Sequence, residues 1–134
     1  MRNKVFIDTL FIVALISHRD QYHQKALEIA KQFEHYHWIT TDAVLLEIGN
    51  ALAGNYKSEA LELIENFFTS DDVEVIRLNS DLFAAALNLY KNHQDKSWGL
   101  VDCVSFVVMK QQNVNQALTF DKHFVQAGFQ ALMR

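Results

Sequence analysis

The sequence predicts an α/β fold, a three-layer α/β/α sandwich around a central parallel sheet of four to five strands. Two observations carry that prediction. The runs Val5-Phe6-Ile7 and Ala117-Leu118-Thr119-Phe120 are apolar at nearly every consecutive position, as strands buried on both faces must be, and such strands belong to parallel sheets covered by helices. Between them, strand-like and helix-like segments alternate, the pattern that βαβ crossovers produce.

Each element has a local reason. A first strand at about residues 4–8 leads into an apolar helix from Leu10 to Ile16, and an amphipathic helix follows from about Tyr22 to Glu34, with Ala26, Leu27, Ile29, Ala30 and Phe33 at helical spacing. Trp38-Ile39-Thr40 is a short second strand. Thr41 or Asp42 is suited to cap the next helix, which Gly54 is placed to end in a left-handed conformation. Glu59 to Phe68 forms a further helix. Val73 to Ile76 is the third strand by its β-branched content, and Ser80 is expected to cap a helix containing Leu82, Phe83, Ala86, Leu87 and Tyr90. After a polar loop, Lys91 to Ser97, the segment from Leu100 to Gln111 is apolar nearly all round, which predicts a buried helix. Ala117 to Phe120 is the fourth strand, and Phe129 to Met133, after Gly128, can add a small edge strand.

Composition bounds the class. A chain of 134 residues that is 50% hydrophobic fits a single domain over 1–134, able to bury roughly two-thirds of its unfolded surface. No proline and few glycines leave nothing that marks a linker. The lone Cys103 cannot form an internal disulfide, and no paired Cys/His spacing of the zinc type is present, which fits a reducing, cytoplasmic setting. The apolar run from Leu10 to Ile16 falls far short of the roughly 20 residues of a membrane span. A net charge of −4 and twelve scattered basic residues argue against a general polyanion-binding surface.

The chemistry concentrates on four acids. Asp8 and Asp121 each end an apolar strand, at the edge where parallel sheets bind ligands. Glu47 and Asp102 interrupt otherwise apolar helical segments, Val44 to Ile48 and Asp102 to Met109. A charge in such surroundings costs several kcal/mol, on the order of the desolvation penalty per ion, unless it is paired. Asn50, three residues after Glu47, shares its helical face and is placed to orient it or to touch a substrate. Asp102 lies in the first turn of its helix, after Ser97 or Gly99 as a cap, where the helix dipole favours the ionised form. Oxygen donors without His or Cys favour a hard cation, Mg²⁺ or Mn²⁺. Without a metal, close carboxylate pairs would repel by roughly 4 kcal/mol at an effective dielectric near 20. A hard ion held by acids suits activation of water and in-line attack on a phosphodiester.

Other arrangements fit less well. Aspartyl-phosphate phosphatases need a second acid where this chain has Leu10, receiver domains need adjacent early acids, and no glycine-rich phosphate loop is present. His18, His23, His35, His37 and His93 lie in polar stretches and read as solvated; His123 and Asp95 remain open as additional site residues. Cys103 reads as a small buried hydrophobe, and Trp38 and Trp98 as packing residues.

In this order the motifs Phe6-Ile7-Asp8-Thr9, Leu46-Glu47-Ile48-Gly49-Asn50, Leu100-Val101-Asp102-Cys103 and Thr119-Phe120-Asp121-Lys122-His123-Phe124 resemble the PIN-domain family over nearly the whole chain, closest to its small prokaryotic branch of VapC-like toxins. The resemblance implies a PIN-like fold and a Mg²⁺- or Mn²⁺-dependent ribonuclease acting on single-stranded or looped RNA, with Asp8, Glu47, Asp102 and Asp121 as catalytic and metal-binding acids. It implies that Thr119 holds an acid by a hydrogen bond, with Thr9 in a similar place, that the chain forms a homodimer, and that a cognate antitoxin protein restrains it. Gly99 departs from the small polar cap common in the family. The alternative reading is a catalytically inactive member that binds RNA or protein.

Overall fold

The sheet is built outward from β1 (Lys4–Ile7), whose last three residues are completely buried. A computed structural model describes residues 2–134. After β1 come α1 (Thr9–Ile16), α2 (His23–Gln32), β2 (His37–Thr41), α3 (Asp42–Ala51), α4 (Lys57–Thr69), β3 (Val73–Ile76), α5 (Ser80–Asn92), α6 (Leu100–Gln111), β4 (Gln116–Leu118), α7 (Lys122–Gln126) and β5 (Gln130–Ala131). The five strands are all parallel, in the order β3-β2-β1-β4-β5. Phe6 stands opposite Ile39 on one side and Ala117 on the other.

That order decides where a ligand can sit. From β1 the chain first builds to one side, through β2 and β3, and then to the other, through β4 and β5. The reversal leaves a crevice at the carboxyl ends of β1 and β4, the switch point where open α/β sheets take their ligands. The core beneath it is dense: Phe6, Ile7, Phe11, Ile39, Met109 and Phe124 are fully buried. Phe106 of α6 meets Phe124 of α7 edge-on, with centroids 5.0 Å apart, and Trp98 meets Phe106 in the same manner at 5.1 Å. Trp98 also donates its indole N–H to Gln126 at 3.0 Å. These contacts fix α6, α7 and the loop before α6 as one unit, and Trp98 serves packing as expected.

The predicted elements are present, including the small edge strand, with three local differences. Gly54 does not end α3 in a left-handed conformation; the helix closes at Leu52, whose N–H bonds to Ile48, and the left-handed residue is Tyr56, with φ of 62°. Gly128 is the glycine that adopts a positive φ, 95°, in the turn before β5. The cap of α5 is Asn79 rather than Ser80, because the Asn79 side chain accepts the Leu82 N–H at 2.8 Å and Ser80 is already helical. Thr119 and Phe120 lie beyond β4 and not within it. No helix among the described residues is long and apolar enough to cross a membrane.

Replacing Asn79 with Ala is expected to cost about 1 kcal/mol, whereas Ser80→Ala should stay within about 0.5 kcal/mol. Urea unfolding of the two variants tests this; a larger loss at Ser80 would contradict the capping assignment.

Candidate metal centre

Backbone geometry delivers the acids to the crevice. Asp8 follows β1 and is the N-cap of α1, while Asp121 follows β4 and is the N-cap of α7. Glu47 is carried by α3, whose own start is fixed by buried Thr41 accepting the Val44 N–H at 3.1 Å. Asp102 is the third residue of α6. Asp8, Thr9, Glu47, Asn50, Asp102 and Asp121 line one depression of about 500 Å³. Thr119 stands just beneath it, fully buried.

Each acid has one carboxylate oxygen fixed by a donor of the protein. The Thr119 hydroxyl donates to Asp8 Oδ2 at 2.7 Å and accepts the Asp121 N–H at 3.1 Å, so one threonine braces both strand-end acids. The Thr9 hydroxyl donates to Glu47 Oε1 at 2.7 Å, tying α1 to α3. Asp102 Oδ2 accepts the Gly99 N–H at 3.1 Å and the His123 imidazole at 3.0 Å. Asp121 Oδ1 accepts the His123 backbone N–H at 2.9 Å. Among the described residues, Glu47, Asp102 and Asp121 each keep a second oxygen with no protein donor, the state of a carboxylate ready to ligate through one atom.

Burial opposes ionisation more strongly than the sequence suggests. Desolvation pushes the Asp8 carboxyl up to about 7, the nearby charges of Asp102 and Asp121 add to it, and the bonds from Thr119 and the Thr9 backbone only partly offset it. Asp102 is also raised, burial outweighing the Gly99 and His123 bonds. Its place at the helix start therefore does not decide its charge. Glu47 is placed differently: it is exposed on the rim, beside Leu46 at 70% exposure. Among the described residues Asn50 makes no hydrogen bond to Glu47, which Thr9 holds instead, and it lines the depression beside it. An aspartate cluster with one buried and two half-buried members, relieved only by hydroxyl, amide and imidazole donors, fits a hard divalent cation, whose charge reverses the direction of these shifts.

Two participants were not resolved by sequence reasoning. His123 Nδ1 lies 3.0 Å from Asp102 and 3.4 Å from Asp121, and one ligand atom from each of these three residues falls within 4.8 Å of the others. Its spacing from Asp121 was the only signal, because the cap that turns α7 also turns the imidazole inward. Ser97 Oγ sits 3.2 Å from His123 Nε2, and only the folded loop before α6 brings it there. Asp95 does not reach the depression; it is exposed and pairs with Lys96 at 3.0 Å. Cys103 is buried, its thiol pushed up to about 11 by desolvation and by Asp102, which suits packing rather than reactivity. His23 and His93 are half-buried rather than solvated, bonded to the Ala14 and Leu89 carbonyls, and His37 is half-buried too.

The sequence matches the PIN domain family over residues 5–130. The chain belongs to that family. It is 28% identical over 132 residues to the 23S rRNA-specific endonuclease VapC20 of Mycobacterium tuberculosis, found in strains CDC 1551 / Oshkosh and ATCC 25618 / H37Rv, covering 93% of this chain and 95% of the relative. The crystal structure of M. tuberculosis VapC20, described as a Sarcin-Ricin loop cleaving toxin, superposes with a TM-score of 0.84 at 27% identity, covering 93% of this chain and 95% of that one. The five-stranded parallel sheet with its flanking helices is thus the PIN-like α/β fold.

Between pH 4 and 7 the folded, metal-free protein holds a proton on Asp8 that the unfolded chain has released. Its stability should therefore fall as pH rises through this window and level off above about 7, by on the order of 4 kcal/mol from this group alone. Asp8→Asn should remove that component, and saturating Mn²⁺ at pH 8 should restore about 2.7 kcal/mol at a hundredfold excess over Kd. Unfolding midpoints of both proteins at pH 5 and pH 8 read the effect; parallel pH dependence in the two would refute it.

Proposed function

We propose that this protein is a divalent-metal-dependent endoribonuclease, the toxin of a toxin–antitoxin pair, that hydrolyses phosphodiester bonds in single-stranded or looped RNA. The observation that carries this reading is the meeting of Asp8, Glu47, Asp102 and Asp121 around one depression at the sheet's switch point. The likeness to a 23S rRNA endonuclease supports it and favours an RNA loop as substrate. In this reading the four acids are the catalytic and metal-binding set, with Mg²⁺ or Mn²⁺ as the ion.

When bound, the cation supplies an acidified water for in-line attack and neutralises charge on the phosphodiester. The protein's part is positional. Thr119 keeps Asp8 and the start of α7 at a fixed separation, and Thr9 holds Glu47 against the rim. His123 Nδ1–H donates to the Asp102 carboxylate and Nε2 of the same ring is hydrogen-bonded to the Ser97 hydroxyl, so a hydrogen-bonded line runs from the surface to a metal acid. Asn50, free of Glu47, offers its amide to the substrate.

A homodimer and a cognate antitoxin complete the proposal. The dimer is supported by exposed apolar side chains, Leu46, Leu78, Phe83 and Leu100, which share one shallow hollow with Glu47 and Asn50. An apolar face of this kind on a soluble chain marks an association surface. It lies next to the acid site, so pairing there would set two sites close together.

Asp8→Asn, Glu47→Gln, Asp102→Asn and Asp121→Asn should each lower kcat on a loop-containing RNA by on the order of a hundredfold or more, and chelator should abolish cleavage. Thr119→Val should cost roughly tenfold through metal affinity. RNA cleavage persisting in chelator, or in both Asp8→Asn and Asp121→Asn, would remove the nuclease reading; RNA binding with no cleavage in any divalent ion would favour the inactive binding module. Separately, Phe83→Asp should shift the particle from dimer to monomer in sedimentation velocity, and an unchanged mass would exclude this face as the interface.

A further inference from the structure

An acidic protein that cuts a polyanion must hold the strand somewhere other than on its carboxylates. Net charge is −4 and four acids face the site, so a strand approaching the depression meets repulsion everywhere except at local cations. One such place adjoins the site. The segment from Tyr90 to Trp98, the end of α5 and the loop after it, folds around a second depression lined by Lys91, His93, Gln94, Lys96 and Ser97. Its floor is rigid: the His93 ring stacks on Trp98 with centroids 5.0 Å apart, and its Nδ1 is held by the Leu89 carbonyl at 2.9 Å.

A hydrogen-bonded link through His123 connects the two depressions. Ser97 lines the lysine-bearing hollow and is 3.2 Å from His123 Nε2, while the other nitrogen of that ring is 3.0 Å from Asp102. One imidazole thus separates a cationic hollow from a metal acid. A nucleic-acid strand spaces its phosphates at intervals of several ångströms, so a strand with one linkage over the acids can set a neighbouring phosphate beyond the Ser97–His123 link. Lys91 has no carboxylate partner among the described residues, and the Lys96–Asp95 pair is 36% and 70% exposed, so it opens at little cost when a phosphate competes. The polar and amide groups beside the lysines, His93 and Gln94, suit sugar and phosphate oxygens.

We propose that this hollow is the seat of the RNA backbone next to the scissile linkage, with Lys91 and Lys96 neutralising its phosphates. The proposal rests on the nuclease reading above and adds where the strand lies. A polar seat of this type contacts phosphates and not base edges, so it should act on affinity without changing which sequence is cut.

The test uses the full-length protein and a fluorescently labelled RNA hairpin with a single-stranded loop. Cleavage is followed at saturating Mn²⁺, and binding is followed by anisotropy over a KCl series in the non-cleaving Asp8→Asn background. Lys91→Glu combined with Lys96→Glu should raise KM on the order of tenfold, leave kcat within about twofold, and lower the salt slope of binding by about 0.7 to 0.9 per lysine. The paired Lys→Arg changes should keep KM, and Lys4→Glu, at the opposite end of β1 from Asp8, should change nothing. An unmoved KM and salt slope in the Glu variants, with cleavage intact in the unmodified protein, overturn the seat alone. If the unmodified protein neither cuts nor binds the hairpin, the nuclease reading and the seat fall together. A fall in kcat without a rise in KM would assign the lysines to positioning of the acids and also overturns the seat.

Discussion

The hydrogen bond from Thr119 to Asp8 is the contact on which the site depends. It spans 111 positions of sequence, is 2.7 Å long and is buried, and it joins the residues that follow the central strand β1 and its neighbour β4. Parallel pairing sets those strands side by side, but pairing alone does not prevent two acids at their ends from turning apart. Asp8 is only 5% exposed and close enough to Asp102 and Asp121 for their charges to raise its pKa. In that position a carboxylate can lower its energy by protonating, by moving or by finding a partner. Thr119 removes the second option, because its hydroxyl is committed both to Asp8 and to the Asp121 backbone. A cation then supplies the partner at lower cost than any rearrangement.

The same logic explains why the acids come from four separate elements. A single helix or turn bearing four carboxylates would pay their repulsion in the unfolded chain as well, and would gain nothing on folding. Spread over the N-caps of α1 and α7 and over α3 and α6, they are brought together only by the complete fold, so the repulsion is a property of the native state that a metal can relieve. The braces are correspondingly non-local: Thr9 to Glu47 joins α1 to α3, and His123 to Asp102 joins α7 to α6. Each uses a short, stiff side chain, which loses little freedom in holding a partner.

What could be read from the sequence follows from this division. Apolar runs ending in Asp8 and Asp121 were legible because a doubly covered parallel strand leaves no other pattern, and so was the buried helix beginning near Asp102. The caps were less so. Asn79 and Ser80 are both good capping residues, and the choice between them turns on where the chain leaves β3, a tertiary fact. Gly54 invited a left-handed turn that Tyr56 takes instead. Glu47 was read as buried from its apolar neighbours, yet Leu46 beside it is itself exposed; local hydrophobicity does not distinguish a core face from an association face. The imidazole of His123 and the hydroxyl of Ser97 meet across 26 positions, and no local pattern encodes that meeting.

Charge placement separates the two tasks that a metal nuclease must perform. Holding a cation requires negative charge with fixed geometry, whereas holding a strand requires positive charge that tolerates variation. These demands conflict if the groups share one surface, since lysines among the acids would neutralise them directly and lower metal affinity. Here three carboxylates sit at helix starts and Glu47 in the middle of α3, while Lys91 and Lys96 sit on the end of α5 and its following loop, with Ser97 and His123 between them. The His123 imidazole bonds to both sides, its Nδ1 to Asp102 and its Nε2 to Ser97. In this arrangement a weakly acidic chain needs no basic stripe in its sequence to accommodate a polyanion, because the fold gathers a few cations beside an acid cluster suited to a metal.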